Sequence, residues 1–535
     1  MSTLYLAVVD TVGIQSYIFA SNRLRENIGA SHLVYQATKG WLLDSPDAFL
    51  PTPHNVGQRK QRLDEGVKGV ETGALAAELL YAGGGNTVLL FKKREDAVVF
   101  LGRLHERMLT QAPGLEIASI IVDMEWEQSL AQAMNNAFQA LAKKKAAQGN
   151  ILPLQGLSVT AAGRSSGLAA NVVVKAPGGS AWMPLSNETV AKWEHNDEAK
   201  ARLSRDLGVY LQDDYDFPSQ FDDLGRSEGE QSYLAVVHAD GNGMGKLLLG
   251  IIDRYAHAGG SQNREFIQRL RAFSDATTDA GLNATQAVVQ QVQSWNESNV
   301  VAPAVRGGKK MLSLRPIVYG GDDVTFVCDG RLGLSAAHAF LAAFEKQSIP
   351  DVDGNLQPGK AAAGVTIVKV RYPFSRAYQL AESLCHNAKV RFERQVNALD
   401  WHRAQSGLFG SLSEIRQAEY QEEWEADGRR PVHSLMMRPI SIGDDPVDGW
   451  RTWENFRTML GAFGSDAWPR NKVMELREVL RSGPAGVAKY TETHGRTLPK
   501  ITFRTTATEY LKNGWHGGRC VYFDPIEMID QEAIL

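Results

Sequence analysis

Three acidic residues and the glycines beside them carry the most specific chemistry in this sequence. Asp240 ends the run Tyr233-Leu234-Ala235-Val236-Val237-His238-Ala239, whose apolar residues suit a buried strand. Asp322 and Asp323 follow Gly320-Gly321 and precede Val324-Thr325-Phe326-Val327, which reads as the turn and second strand of a hairpin. If these strands are neighbours in one sheet, the three carboxylates meet at one edge. Converging carboxylates beside an open turn suit Mg²⁺ or Mn²⁺, which take hard oxygen ligands and keep water and phosphate oxygens in their shell. A pair of such ions lowers the pKa of an attacking hydroxyl and neutralises a leaving pyrophosphate. Gly320 and Gly321 let the backbone turn tightly and let a nucleotide come close. The same four residues also read as a plain hairpin turn with two solvated acids.

The loop after Asp240 reads Gly241-Asn242-Gly243-Met244-Gly245-Lys246. A glycine-bearing turn from strand to helix offers backbone N–H groups to a phosphate. A simple connection needs the same glycines, and Lys246 also reads as an exposed helix cation. His238 reads as a structural histidine at a strand end. Three short basic clusters, Arg59-Lys60-Arg62, Lys143-Lys144-Lys145 and Arg306 with Lys309-Lys310, suit RNA or partner contacts, or solvated faces.

The elements that position these residues occur twice. Tyr5-Leu6-Ala7-Val8-Val9 returns as Tyr233-Leu234-Ala235-Val236-Val237, and Tyr81-Ala82-Gly83-Gly84-Gly85-Asn86 has its counterpart in Tyr319-Gly320-Gly321-Asp322-Asp323. The second copy continues with helices near 244–257 and 264–296, the hairpin, a helix over 332–346, a strand over 361–370 and a helix over 375–394. The first copy predicts a strand over 4–10, a helix over 14–38, a hairpin over 79–91, a helix over 95–111 and a strand over 115–124. This order predicts an α+β fold with two tandem ferredoxin-like units, each an antiparallel sheet with helices on one face. The expected divisions are 1–125 (first unit), 126–230 (helical and irregular), 231–396 (second unit) and 397–535 (mainly helical). Aligning Val9 with Val237 sets Val12 opposite Asp240, and aligning the Gly-Gly pairs sets Gly85 and Asn86 opposite Asp322 and Asp323. On that alignment the first unit has lost all three acids and its role is architectural.

Composition narrows the rest. With 43% hydrophobic and 22% charged residues, the chain reads as globular rather than disordered, and no run approaches the ~20 apolar residues of a membrane helix. The expected setting is cytoplasmic, with no membrane partner. A net charge of −4 confines nucleic-acid binding to a local patch. Cys328, Cys385 and Cys520 are too few for a Cys₄ zinc site and read as three reduced, buried thiols.

Four stretches resemble one family, the palm-domain large subunits of type III CRISPR effector complexes. They are Gly13-Ile14-Gln15-Ser16-Tyr17-Ile18-Phe19 running on to Gly29-Ala30-Ser31, then His238 to Lys246, then Arg315-Pro316-Ile317-Val318-Tyr319-Gly320-Gly321-Asp322-Asp323, and Tyr372-Pro373-Phe374-Ser375-Arg376-Ala377 with Ala388-Lys389. A weaker likeness runs through Trp401-His402-Arg403-Ala404-Gln405-Ser406. The resemblance implies two adjacent palms, the first degenerate and the second a nucleotidyl cyclase. Such a palm joins ATP into 3′–5′ cyclic oligoadenylate messengers of antiviral defence, using two Mg²⁺ or Mn²⁺ ions. Asp240, Asp322 and Asp323 become catalytic and metal-binding. Gly241, Asn242, Gly243, Gly320, Gly321 and Lys389 become nucleotide-binding, with Lys389 on the triphosphate. The implied partners are a nucleoside triphosphate, the other effector subunits, and guide or target RNA. The alternative is a scaffold subunit that binds nucleotide without turnover. A GTP-using diguanylate-cyclase-like enzyme fits the palm alone, but not the Gly13–Ser31 stretch or the tandem arrangement. Three departures stand out. The first palm starts at residue 4, so the form is expected to lack the HD nuclease domain and DNA cleavage. Gly163 and Arg164 stand where a zinc-ribbon cysteine is expected, so no zinc is implied. Asn242 replaces a frequent second aspartate and is a poorer metal ligand.

Overall fold

The computed structural model describes residues 3–56, 69–148, 160–175, 181–224, 232–404, 410–424, 432–503 and 508–533. The first apolar run forms β1 (Thr3–Val12), followed by α1 (Ile14–Phe19) and α2 (Leu24–Tyr35). The single helix expected over 14–38 is broken between these two. There the Asn27 amide donates to the carbonyls of Ile18 and Ser21, which replaces helical hydrogen bonds. Next come the hairpin β2 (Ala77–Gly83) and β3 (Asn86–Phe91), α3 (Arg94–Gln111), β4 (Glu116–Glu125) and α4 (Leu130–Gln148). The sheet order is β2-β3-β1-β4, antiparallel throughout, as a ferredoxin-like unit requires.

A two-stranded piece, β5 (Val172–Lys175) and β6 (Trp182–Leu185), leads into α5 (Asn187–Glu194) and α6 (Asn196–Asp206). The second unit then repeats the first. It comprises β7 (Tyr233–Gly241), α7 (Met244–Tyr255), α8 (Asn263–Glu297), β8 (Leu314–Val318), β9 (Val324–Asp329), α9 (Gly333–Glu345), β10 (Ala361–Lys369) and α10 (Phe374–Arg391). Its core sheet order, β8-β9-β7-β10, matches the first. The sheet does not stop near 396 as expected. Ala398–Arg403 forms β11, parallel to β10, and Ile440–Ser441 forms β12 beyond it. A buried aspartate, Asp400, interrupts the apolar pattern of β11. It is held by Arg416 at 2.7 and 2.9 Å, on a later helix, α11 (Leu412–Tyr420).

Helices cover both faces of each sheet, not one. The two crossover helices share a face, as in a ferredoxin-like unit. Gly333 of α9 lies under Ala235 and Val365, where a Cβ would meet Ala235 Cβ at 2.5 Å. The helix after the last strand covers the opposite face. Gly364 of β10 admits α10, where a Cβ would meet the Ala381 carbonyl oxygen at 2.0 Å. In the first unit α4 holds the same place. Leu130, Met134 and Leu141 share a core with Leu4, Leu6 and Val8, while Ala7, Val9 and Phe100 belong to the other core. Apolar residues on both faces of β1 and β7 leave neither face for water. Thus α4 completes the first unit, although the expected division at 125 excludes it.

The two units interlock. Ser31 of α2 donates to the Ile317 carbonyl of β8, and Arg264 and Arg271 of α8 reach Glu78 of β2 at 2.6 and 3.0 Å. The remaining chain packs as α12 (Trp453–Gly464), α13 (Arg470–Arg481), α14 (Gly483–His494) and α15 (Phe523–Met528), with a small sheet. The architecture is therefore α+β, two tandem units and a mainly helical C-terminal region. All three cysteines are buried and free, and among the described residues no helix is long and apolar enough to cross a membrane.

Candidate active site

Strands β7 and β9 pair antiparallel, with Ala239 opposite Val324. The Gly241 N–H donates to the Asp322 carbonyl at 3.1 Å and carries this register past the last paired residues. Asp240 therefore faces Asp323 across adjacent strands, in the closer, non-hydrogen-bonded type of pair. Asp322 starts on the strand's other face: a Cβ on Gly241 would lie 2.8 Å from Asp322 Cβ. That face looks towards the first unit, where the Asp322 charge helps raise the pKa of buried Tyr81, after burial itself. Gly320 takes φ +90°, and a Cβ on Gly320 or Gly321 would meet nothing within 4 Å. The turn thus presents an open backbone edge next to the acids. Behind it, Gly281 of α8 packs so closely that a Cβ there would come 1.7 Å from the Gly321 carbonyl oxygen.

The acids are poised against one another. Burial first, then the charge of Asp240, pushes the carboxyls of Asp322 and Asp323 up to about 7, with the Lys389 ammonium opposing. The Asp323 side chain is 47% exposed, yet its Oδ1 is buried without a hydrogen bond. His238 Nδ1 stands 3.4 Å from that oxygen and 3.2 Å from Thr325 Oγ1. Burial lowers the His238 pKa and keeps the ring neutral, as expected of a structural histidine.

Lys389 lies on α10, 7% exposed, with its ammonium on the Asp240 carboxylate and on the Gly241 carbonyl at 2.9 Å. Asn242 is buried. Its N–H donates to the Lys360 carbonyl at 2.7 Å and its amide to the Val396 carbonyl at 3.0 Å, while its Oδ1 has no partner. Gly243 caps α7 at φ +77°, and Lys246 is exposed. The structure therefore brings Asp240, Gly241, Asp322, Asp323 and Lys389 together at one sheet edge, and ties the Asn242 side chain to the backbone at Val396.

Hard oxygen donors, one orphaned carboxylate oxygen and two carboxyls whose charge is disfavoured fit a divalent cation. Among the described residues, no three His, Cys, Asp or Glu side chains are set to hold an ion as they stand. Lys389 occupies Asp240, and Asp322 starts on the other face.

Several neighbours escaped the sequence reading. Glu382 on α10 adds negative charge at Asp323, and its spacing from Lys389 on one helix face is the signal that could have marked it. Arg202 of α6 is sandwiched between Tyr35 of α2, at 3.7 Å, and Tyr319, at 4.4 Å, immediately before the Gly-Gly turn. The alignment of Val12 with Asp240 is corrected. The Thr11 N–H donates to the Gly85 carbonyl at 3.0 Å, just as Gly241 donates to Asp322, and Asp10 pairs with Asn86. Asp10, not Val12, corresponds to Asp240, so the first unit keeps one acid of three. A two-residue slip leaves every side chain on its face, so the apolar pattern could not detect it. Of the basic clusters, Lys144 holds the Ser119 carbonyl, Lys145 holds Asp10, and Arg306 and Lys310 pair with Asp223 and Asp214. Arg59-Lys60-Arg62 lies outside the described residues.

Residues 233–398 match the family described as Cas10/Cmr2, second palm domain. The fold resembles chains of two crystal structures of a Csm1-Csm4 cassette, in complex with pppApApA (13% identity, TM-score 0.51) and with pppApA (14%, 0.51). Each match covers 100% of this chain and 70% of that one. A cassette in complex with cA4 matches at 13% identity and TM-score 0.44, over 92% of this chain and 64% of that one. The chain thus spans between 64% and 70% of the length of these solved chains. No curated protein matches the sequence. With the β-α-β-β-α-β order and the Gly320-Gly321-Asp322-Asp323 turn at the sheet edge, residues 233–398 are similar in sequence to the second palm domain of the Cas10/Cmr2 family.

Proposed function

We propose that this chain is a metal-dependent nucleotidyl cyclase that joins ATP into cyclic oligoadenylate, as the large subunit of a type III CRISPR effector complex. The observation that carries the reading is Asp240 facing Asp323, with Asp322 beside them, at an edge where Gly320 and Gly321 leave the backbone open. Two Csm1-Csm4 cassettes of the same fold were solved with pppApApA and pppApA, linear adenylates of the kind such a reaction would pass through. In this reading Asp240, Asp322 and Asp323 hold two Mg²⁺ or Mn²⁺ ions. When bound, these ions supply a lowered hydroxyl pKa and charge neutralisation at the phosphates. Gly243, Gly320 and Gly321 let the backbone lie close to the nucleotide, Gly241 instead makes room for Asp322 and Met244, and buried Asn242 fixes the loop between β7 and α7. Lys389 directs its charge to phosphate oxygens. The 3′-hydroxyl of one nucleotide attacks the α-phosphate of the next, and pyrophosphate leaves. Catalysis here is mainly positioning and electrostatic stabilisation. The first palm, with Gly85 and Asn86 at the hairpin positions, borders the site through Tyr81, whose pKa the Asp322 charge raises after burial itself.

The test is incubation of the purified chain with ATP and Mn²⁺ or Mg²⁺, with products read by mass spectrometry. Cyclic oligoadenylate is expected from the unaltered protein and at least 10²-fold less from Asp322→Ala/Asp323→Ala. Undiminished product in that variant removes these acids from the mechanism. The occupation of Asp240 by Lys389 favours a second reading, a palm that binds nucleotide without turnover. Its signature is a melting temperature raised by ATP and metal while no product forms.

A further inference from the structure

The two palms share an ion pair as well as a fold. In the second, Asp240 pairs with Ala362 of β10, and Lys389 lies 27 residues further on, in the helix that follows that strand. In the first, Asp10 pairs with Ala118 of β4, and Lys145 lies 27 residues further on, in the helix that follows. Each lysine grips the strand-end aspartate of its own palm. Both helices are the ones that cover the face opposite the crossover helices. The lysine's seat on that carboxylate is therefore built into the fold, since it exists in the first palm without the hairpin acids.

The surroundings of the two pairs differ. Asp10 faces Asn86, a neutral side chain, so its lysine meets no rival acid across the strands. Asp240 faces Asp323, with Asp322 next to it, and Lys389 is the basic group that acts on both. An acidic edge of this kind repels itself unless a cation sits on it. Lys389 is that cation in the metal-free protein. A divalent ion must use the same Asp240 oxygens, so the ammonium and the ion compete. Lys389 also holds the Gly241 carbonyl at 2.9 Å, which keeps it at the site after it leaves the carboxylate.

We propose that Lys389 is a built-in counter-cation of Asp240 that a divalent ion displaces, freeing the ammonium for a phosphate only once metal is loaded. The inference rests on the metal-dependent reading above. In the first palm the pair Asp10–Lys145 is the same device, permanently closed.

The test is Mn²⁺ binding to the full chain without nucleotide, followed by calorimetry and by the electron paramagnetic resonance signal of free Mn²⁺. Lys389→Gln, which keeps a donor for the Gly241 carbonyl but loses the charge, should bind Mn²⁺ about fivefold tighter or more than the unaltered protein. Its metal-free form should melt lower, and saturating Mn²⁺ should close most of that gap. Arg391→Gln removes a positive charge two residues along the same helix, one that pairs with Asp448 instead. It should change Mn²⁺ affinity by less than about twofold, which separates displacement from a general change in field. Lys145→Gln should lower the melting temperature and leave Mn²⁺ affinity unchanged. If Lys389→Gln fails to fold, Lys389→Met repeats the measurement. Unchanged or weaker Mn²⁺ binding in the Lys389 variants, with normal binding in the unaltered protein, overturns the counter-cation role alone. Absence of Asp240-dependent Mn²⁺ binding in the unaltered protein overturns that role together with the metal-dependent reading.

Discussion

At the scale of residues, the site is defined by charge held against its own preference. Asp322 and Asp323 have folded-state pKa values pushed up to about 7 from an ordinary 3.8, by burial and by Asp240. The folded state therefore binds more protons than the unfolded state between those values. Stability contributed by these groups falls as pH rises from about 4 to about 7, then levels off. In metal-free protein, Asp323→Asn should melt about 1–3 °C higher than the unaltered chain at pH 8, and the difference should shrink towards pH 5. Melting curves across that range, recorded with a chelator, check it; a gap that widens at low pH refutes the sign. The exposed half of the Asp323 side chain keeps the effect modest. Asp240, Asp322, Asp323 and the glycines beside them were legible in the sequence because their types and spacing belong to one turn and one strand end. Asp10 and Lys145 were not, because only the hydrogen-bond ladder shows which residues of the two palms correspond.

At the scale of elements, the turn is held from behind. Gly281 in the middle of α8 touches the Gly321 carbonyl, so the long helix fixes the height of the acidic edge. Replacing a mid-helix glycine by alanine ordinarily stabilises a helix by roughly 0.8–1 kcal/mol. Here the added methyl would lie 1.7 Å from a backbone oxygen that cannot rotate away. Gly281→Ala should therefore destabilise by a net of about 1–3 kcal/mol and weaken Mn²⁺ binding by displacing the turn. Denaturant midpoints and metal titration read the two effects. A gain in stability would show that helix and turn can separate freely. The 35-residue helix was legible from its periodicity. Its contact with the turn was not, because a glycine in a helix carries no signal of what lies against it. The strand Ala398–Arg403 was missed for a related reason: Asp400 breaks the apolar pattern, and its partner Arg416 comes from outside the strand.

At the scale of the whole molecule, the palms are joined by charge as well as by apolar surface. Glu78 of the first palm is 2% exposed. Burial alone would raise its pKa, but hydrogen bonds and charge from Arg264, with Arg271, hold the carboxyl below its ordinary value. Removing Glu78 leaves Arg271 partly buried without its carboxylate, while Arg264 keeps its pair with Glu71. Glu78→Ala should cost about 3 kcal/mol, read as a lower denaturant midpoint, whereas the exposed pair Arg477–Glu478 should contribute at most about 1 kcal/mol. An effect of Glu78→Ala no larger than that of Glu478→Ala would show that Glu78 is solvated. This junction sets the first palm against the second, so the degenerate unit takes part in shaping the edge that carries the acids.

What the sequence alone determined was the local grammar: two repeated strand-and-hairpin units, the glycine turn, the carboxylates, and the order of elements that makes both sheets ferredoxin-like. These follow from residue type and short-range periodicity, which act within a few residues. What only the tertiary structure decided was which side chains share a point in space. Asp240 opposite Asp323, Lys389 on Asp240, Gly281 beneath Gly321, and Asp10 with Lys145 as the first palm's counterpart all depend on strand register and on helices returning from far along the chain. A slip of two residues in that register would leave the apolar pattern intact while separating the acids, so no reading of pattern alone could have settled it.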